Sequence, residues 1–259
     1  MLEKFRIAKQ GEVDMLHKLD AEGKLPAPYT GERPSFADAI KRDKSGMKVI
    51  AEYKRASPSK GIINLELGPV DIANMYARGG ASAISVLTEE LYFKGSLDYL
   101  DEIKPCGLPM LRKDFLVDPL QVIQTSATPA SALLVIVRMF EDDASLKDMI
   151  DKTHAAGLDA VVEAFDMDDL MRAKKAGARI IQINNRDLDN LGIDMNRSVE
   201  FIKERDDNEI WICASGINEP DDCTKMAELG YDCVLVGTSI MSNASPEDKL
   251  ASLVEGAAR

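Results

Sequence analysis

Two histidines, one tryptophan and four cysteines are spread through 259 residues, and each scarcity excludes something. Cys106, Cys213, Cys223 and Cys233 contain no CxxC pair, and with only His17 and His154 beside them they offer no metal-ligand spacing. They read instead as reduced thiols in the core of a cytoplasmic protein. No apolar run approaches the ~18 residues of a membrane helix, and the charged LEKFRIAKQ directly after Met1 is no signal-peptide core. Positive charge is also short: 32 Lys and Arg against 44 Asp and Glu leave a net charge of -12. The bases are interspersed with acids, so no continuous basic face exists for a nucleic acid or a membrane surface. Any anionic ligand has to be held locally.

What is present is the mixture of a globular chain, 45% hydrophobic and 29% charged. Short β-branched runs recur at intervals that suit one strand, one helix and two loops. Eight stand out: MKVIAEY around Ile50, SAISVL around Ser85, PMLRK around Leu111, ALLVIV around Leu134, DAVVE around Val162, RIIQIN around Ile181, IWICA around Ile212 and DCVLVG around Leu235. Most are continuously apolar rather than alternating, as strands are when helices cover one face and a filled interior covers the other. Between them lie helix-period segments such as PVDIANMYARGGA, DDASLKDMIDKTHAAG, DMDDLMRAKKAGA and EPDDCTKMAELGY. The last three begin with acids and all end near Gly, which suits helix dipoles and caps.

Eight such units predict an α/β fold, a (β/α)8 TIM barrel with an N-terminal helical extension. We assign residues 1–259 to one domain, with 1–45 as the extension and 46–259 as the barrel. The extension carries Leu2, Phe5, Val13, Leu16 and Leu19 at helical spacing and a short helix over Phe36 to Ile40, capped by Ser35 with Asp38 in the capping-box position. It can plug the bottom of a barrel or lie as a lid over its active face; the period fits both.

In such barrels the reactive groups project from the C-terminal strand ends, and here those ends are chemically rich. Strand one runs out through Glu52 and Lys54 into Ser57 and Pro58, strand three through Lys113, strand five through Glu163, and strand six through Asn184 and Arg186. Glycine follows strand seven in Ser215-Gly216 and strand eight in Gly237-Thr238. Two such turns, at strands seven and eight, allow close backbone approach to a phosphate, and Arg186 supplies a fork of donors one strand away. A phosphorylated small molecule is therefore the expected partner. Glu52, Lys54, Lys113 and Glu163 converge from three strands where packing alone prefers apolar groups, which points to acid–base chemistry.

These stretches together resemble a known family. IAEYKRASPSKG, SVLTEELYFKGS, PMLRKDFLVDPLQ, IQINNRDL, ASGI and LVGTSIM are similar, in order, to the signatures of indole-3-glycerol phosphate synthase, and PSFADAI in the extension fits as well. The resemblance implies a carboxy-lyase of tryptophan biosynthesis that closes an indole ring. In that reaction 1-(2-carboxyphenylamino)-1-deoxyribulose 5-phosphate yields indole-3-glycerol phosphate, carbon dioxide and water, with no cofactor and no metal. Carried over by motif, Lys113 resembles the general acid at the ketone and Glu163 the carboxylate that serves as base or stabilises the cation. Glu52 and Lys54 resemble a second acid–base pair, and Asn184 a polar positioning residue. Which lysine serves which step stays open. Ser57, Arg186, Ser215, Gly216, Gly237 and Thr238 fall where the family holds phosphate, and Pro58, Phe93, Phe115 and Leu134 where it lines the anthranilate ring.

The sequence departs from the family pattern at Ala214, where ESGI usually supplies a glutamate, at Gln182 in place of Gly before INNR, at Phe165 and at Ser131. The phosphate turns alone would equally suit a sugar-phosphate isomerase, and the Ala214 change would suit a phosphate-ligand-binding barrel with impaired catalysis. Oligomeric state and association with other tryptophan-pathway enzymes are left open by the sequence.

Overall fold

A computed structural model describes residues 2–187 and 190–259; Leu188, the last letter of the IQINNRDL stretch, lies outside them. Every β-branched run singled out above forms a strand: β1 Lys48–Tyr53, β2 Ala83–Leu87, β3 Met110–Lys113, β4 Ala132–Ile136, β5 Asp159–Ala164, β6 Ile180–Asn184, β7 Ile210–Ala214 and β8 Cys233–Val236. Each pairs in parallel with its predecessor and successor, and β1 pairs with both β2 and β8, so the sheet closes. Strands such as β2 and β4 are buried at every position, which accounts for their lack of alternation. The closed ring also leaves no edge strand exposed.

Helices α1 Leu2–Ala21 and α2 Phe36–Ile40 precede the barrel. Around it run α3 Pro69–Arg78, α4 Tyr99–Ile103, α5 Leu120–Ser126, α6 Asp143–Ala155, α7 Met167–Lys175, α8 Asn196–Phe201, α9 Pro220–Leu229, α10 Thr238–Met241 and α11 Pro246–Ala257. Local chemistry sets several starts. The Asp142 and Asp166 carboxylates accept from backbone N–H groups of the first turns of α6 and α7, and Glu219 and Asp222 form a reciprocal capping box on α9. Helix α9 stops at Gly230, whose φ of 99° suits a residue without Cβ. Ser35 caps α2 by accepting from the Asp38 N–H, one half of the box that the Ser-x-x-Asp spacing predicts. No helix of the described residues is long and apolar enough to cross a membrane.

The extension is both plug and lid, in two pieces. Arg33 donates to the Ser126 and Thr128 carbonyls and the Ala37 N–H donates to Asp159, so the segment that ends in α2 lies under the N-terminal strand ends. There Phe36 and Ile40 are wholly buried. Helix α1 sits at the opposite end: Arg6 donates to the Met139 carbonyl beyond β4, and Lys9 pairs with Asp114 just past β3. One feature has no trace in the apolar pattern. After β1 the chain folds into a two-residue hairpin, Ala56–Ser57 against Gly61–Ile62, too short to show a period of two.

Candidate active site

A cavity of about 380 Å3 opens at the C-terminal ends of the strands. Every residue singled out from the sequence as a site candidate lines it: Glu52, Lys54, Ser57 and Pro58 from β1 and its hairpin, Phe93 after β2, Lys113 and Phe115 at β3, Leu134, Glu163, Asn184 and Arg186 from β4 to β6, Ser215 and Gly216 after β7, and Gly237 and Thr238 after β8.

The four charged groups sort into two pairs. Lys54 Nζ lies 2.5 Å from Glu52 Oε1 within β1 and its exit, because residues two apart on a strand share a face. Lys113 Nζ lies 3.4 Å from Glu163 Oε2 across the lumen. Both carboxylates are buried and both ammonium groups are partly open to the cavity. A proton donor and a proton acceptor therefore stand side by side twice over, with the donor nearer to any ligand. Glu52 also constrains its neighbour on β8. A Cβ on Gly237 would lie 3.0 Å from the Glu52 Cβ and closer still to its carboxylate, so the glycine leaves the space that Glu52 occupies.

Asn184 ties β6 to this set. Its Nδ2 donates to Glu163 Oε2 at 3.2 Å, while its Oδ1 accepts from Ser215 Oγ at 2.9 Å and from the Arg186 N–H at 3.0 Å. Ser215 has a φ of 67° and Gly216 one of 91°. Two successive residues in the left-handed region turn the chain sharply over the cavity, a conformation costly for the serine and free for the glycine. Arg186 is anchored by donation to the Leu191 carbonyl at 2.8 Å. Burial lowers its pKa and the charge of Glu52 opposes that shift, but a guanidinium keeps its proton regardless. On the hairpin, Ser57 Oγ accepts from the Lys60 N–H at 3.2 Å, which holds Pro58 and Ser59 over the opening.

Opposite the turns that follow β7 and β8 the wall is aromatic. Phe5 of α1 stacks on Phe115 with centroids 3.8 Å apart and planes 13° from parallel, and Phe93 leans on both. The loop that carries Phe93 is held by Glu89, whose buried carboxylate accepts from the N–H groups of Leu91, Tyr92 and Phe93 at 2.7–2.9 Å. Behind Phe115 lies a buried charge network. Asp114 Oδ2 takes Lys9 Nζ at 2.8 Å, Thr88 Oγ1 at 2.6 Å and an Arg112 nitrogen at 3.2 Å. Burial pushes the Asp114 pKa up, but the Lys9 and Arg112 charges prevail and hold it below the ordinary carboxylate value.

Phe5 lines the cavity although the strand-end reading of the sequence did not select it, and Lys60, in the stretch that follows strand one, lines it too. Phe5 carries only the signal of an apolar helix position, and its role depends on where α1 docks. Gln182, one of the four departures from the family pattern, is fully buried and donates through Nε2 to Glu163 Oε2. Ala214, a second departure, lines the cavity in register with Asn184. Phe165 and Ser131 are buried away from the cavity lining, the phenyl ring under the Arg138 guanidinium.

Comparison with known proteins shows what the chain is similar to. The family model described as Indole-3-glycerol phosphate synthase matches residues 2–253. The chain is 40% identical over 261 residues to the indole-3-glycerol phosphate synthase of Aquifex aeolicus (strain VF5), covering 98% of each. It is 41% identical over 234 residues to that of Dehalococcoides mccartyi (strain CBDB1), covering 89% of this chain and 88% of the relative. Among solved structures, 3-hexulose-6-phosphate synthase from Salmonella typhimurium superposes with a TM-score of 0.64 at 19% identity, over 81% of this chain and 98% of the other. Thiamine phosphate pyrophosphorylase from Pyrococcus furiosus gives 0.58 at 11% identity, over 83% and 96%. At such identities these two speak for the barrel alone.

Proposed function

Because the chain belongs to the indole-3-glycerol phosphate synthase family, and so acts as a carboxy-lyase of tryptophan biosynthesis on a phosphorylated substrate, we propose that its two lysine–carboxylate pairs divide the proton transfers of that reaction. The ring carbon that bears the carboxyl group attacks the ketone carbon of the ribulose chain. As the new C–C bond forms, the carbonyl π electrons move to oxygen, and Lys113 Nζ gives that oxygen its proton. Positive charge then resides on the ring and its nitrogen as an iminium. Glu163, beside Lys113 at 3.4 Å, stabilises it in a site walled by Phe5, Phe93, Phe115 and Leu134, where exclusion of water strengthens the attraction. Departure of carbon dioxide returns the electrons of the broken C–C bond to the ring. In the final step the hydroxyl leaves with a proton from an acid, while a base removes a proton from the carbon next to nitrogen, so that one water is lost in total. The Glu52–Lys54 pair, 2.5 Å apart, suits that exchange.

Arg186, Ser57, Gly216, Gly237, Thr238 and Ser215 are the proposed phosphate holders, supported by the turns after β7 and β8, with Asn184 orienting Ser215 and Glu163. Pro58 roofs the ring pocket from the hairpin. We place the enzyme in the cytoplasm, where a reducing environment suits its four unpaired cysteines.

The observation that carries this reading is the convergence of Lys113 with Glu163 and of Lys54 with Glu52 on one cavity with an aromatic wall. Steady-state formation of indole-3-glycerol phosphate tests it. Lys113→Ala is expected to lower kcat by about 10^2 to 10^4-fold, the range of a general acid. A rate equal to that of the unaltered enzyme would remove Lys113 from the mechanism.

A further inference from the structure

We propose that Gln182 is a positioning residue for Glu163, clamping one oxygen of the carboxylate so that the other is presented to the substrate. The inference rests on the reading of Glu163 as the working carboxylate. Three donors meet on Glu163 Oε2: Gln182 Nε2, Asn184 Nδ2 at 3.2 Å and Lys113 Nζ at 3.4 Å. Among the described residues no hydrogen bond reaches Oε1, and Glu163 lines the cavity. The carboxylate thus has a bound side and a working side.

Backbone register puts Gln182 beside Glu163, since the two are direct partners across β5 and β6. Alternation along β6 then sends Gln182 and Asn184 to the same lumen face, so both amides approach the carboxylate from one strand. Packing alone does not explain an amide here. Gln182 is fully buried, its same-face neighbour toward the start of β6 is Ile180, and its partner on β7 is Ile212. Its Oε1 is buried with no hydrogen-bond partner, a destabilising arrangement for a polar group. A side chain that serves only the core would be apolar. The N–H end is what the position uses.

The chemistry has a need for such a clamp. When Lys113 gives its proton to the ketone oxygen it swings toward substrate and loses its charge, and its hold on Glu163 weakens at the moment the cation forms. Gln182 and Asn184 are neutral donors that do not take part in that transfer. They keep the carboxylate in place through it, without a second cation to offset the negative charge that the iminium requires.

The test measures kcat, KM and melting temperature for Gln182→Met, Gln182→Glu and Glu163→Gln. Methionine matches the length of glutamine but has neither the donor nor the orphaned acceptor. Gln182→Met is expected to melt at the same or a higher temperature, to lose about tenfold or more in kcat, and to keep KM within about twofold. A purely structural role would move stability and activity down together. Gln182→Glu retains the shape but sets a second buried carboxyl against Glu163 Oε2, where the two must share a proton and Glu163 no longer carries its full negative charge, and is expected to lose kcat as well, so a packing fault at methionine does not decide the result. If kcat stays within about twofold of the unaltered enzyme in both variants while Glu163→Gln is impaired, the inference about Gln182 is wrong and the reading of Glu163 stands. If Glu163→Gln itself retains kcat, that reading fails and the inference falls with it.

Discussion

Gly237 shows how one residue links packing to chemistry. It follows β8 at the turn into α10, and the space above its Cα is filled by Glu52. Its φ of -125° is open to any residue, so the requirement is room and not backbone freedom. Gly237→Ala forces the Glu52 Cβ and carboxylate away and breaks the 2.5 Å contact with Lys54. We expect kcat/KM to fall by about 10 to 100-fold, the scale of one misplaced polar group, with little change in secondary structure by circular dichroism. Gly216 differs. Its φ of 91° is itself unfavourable to an L side chain, and a Cβ there would run into Met195. Sequence spacing marks both glycines alike as turns after strands; only the neighbours distinguish the one that makes room from the one that bends. The same limit applies to Gln182 and Ala214, which were visible as departures from a pattern. What Gln182 touches depends on the register of β5 and β6, and no local propensity encodes that.

The two helical pieces of the extension serve opposite ends of the barrel, and their aromatic residues separate stability from catalysis. Phe36 of α2 is fully buried beneath the strands and far from the cavity lining. Phe36→Ala is expected to destabilise the protein by about 3 to 5 kcal/mol, as large-to-small core changes do, while kcat at a permissive temperature is retained. Phe5 of α1 is equally buried, but its ring stacks on Phe115 and borders the cavity. Phe5→Ala is expected to raise KM several-fold by removing one wall of the ring pocket, and steady-state titration with the anthranilate-bearing substrate measures it. Both helices were legible as helices: Phe36 to Ile40 is the observed span of α2, and Phe5, Val13 and Leu16 form the buried stripe of α1 with Leu2 partly buried against the core, while Leu19 is only half-buried. Their destinations were not, because helical periodicity reports which face is buried and not what buries it. The strands were more transparent still, since an all-buried parallel strand leaves a continuous apolar run that is hard to confuse with a loop. The hairpin of Ala56–Ser57 and Gly61–Ile62 lies at the other extreme: Ser57 and Pro58 were visible at the exit of strand one, but only the resemblance of ASPSKG implied their roles.

For the molecule as a whole, the excess of acidic groups, 44 against 32 bases, makes the response to acid a summed property of many carboxylates. Those with shifted pKa values fall into two groups with opposite signs. Asp114, held down by Lys9 and Arg112, and Asp43, Asp142 and Asp143, held down by the hydrogen bonds of Lys48 and Ser45, of Ser145, and of Lys175 and Arg172 respectively, are lowered in the folded state. Each contributes stability that is present above its unfolded pKa of about 3.9 and is lost as pH falls through the folded value. Asp159 and Asp169 are raised, chiefly by burial. The folded state binds their protons more readily than the unfolded chain does, so acidification toward pH 4 favours folding at these two positions. Partial cancellation just above pH 4 and unopposed loss below it predict a stability that varies little as pH falls toward 4 and then drops steeply. Asp114 is the fully buried member of the first group, and it joins α1 to β3 through Lys9. In Asp114→Asn, which cannot ionise, the overall stability should be lower at neutral pH, and the slope below pH 4 should flatten. Denaturant melts between pH 3 and 7 on both proteins provide the measurement. Parallel curves, offset by a constant at every pH, would show that the Lys9–Asp114–Arg112 network contributes nothing to the acid limb.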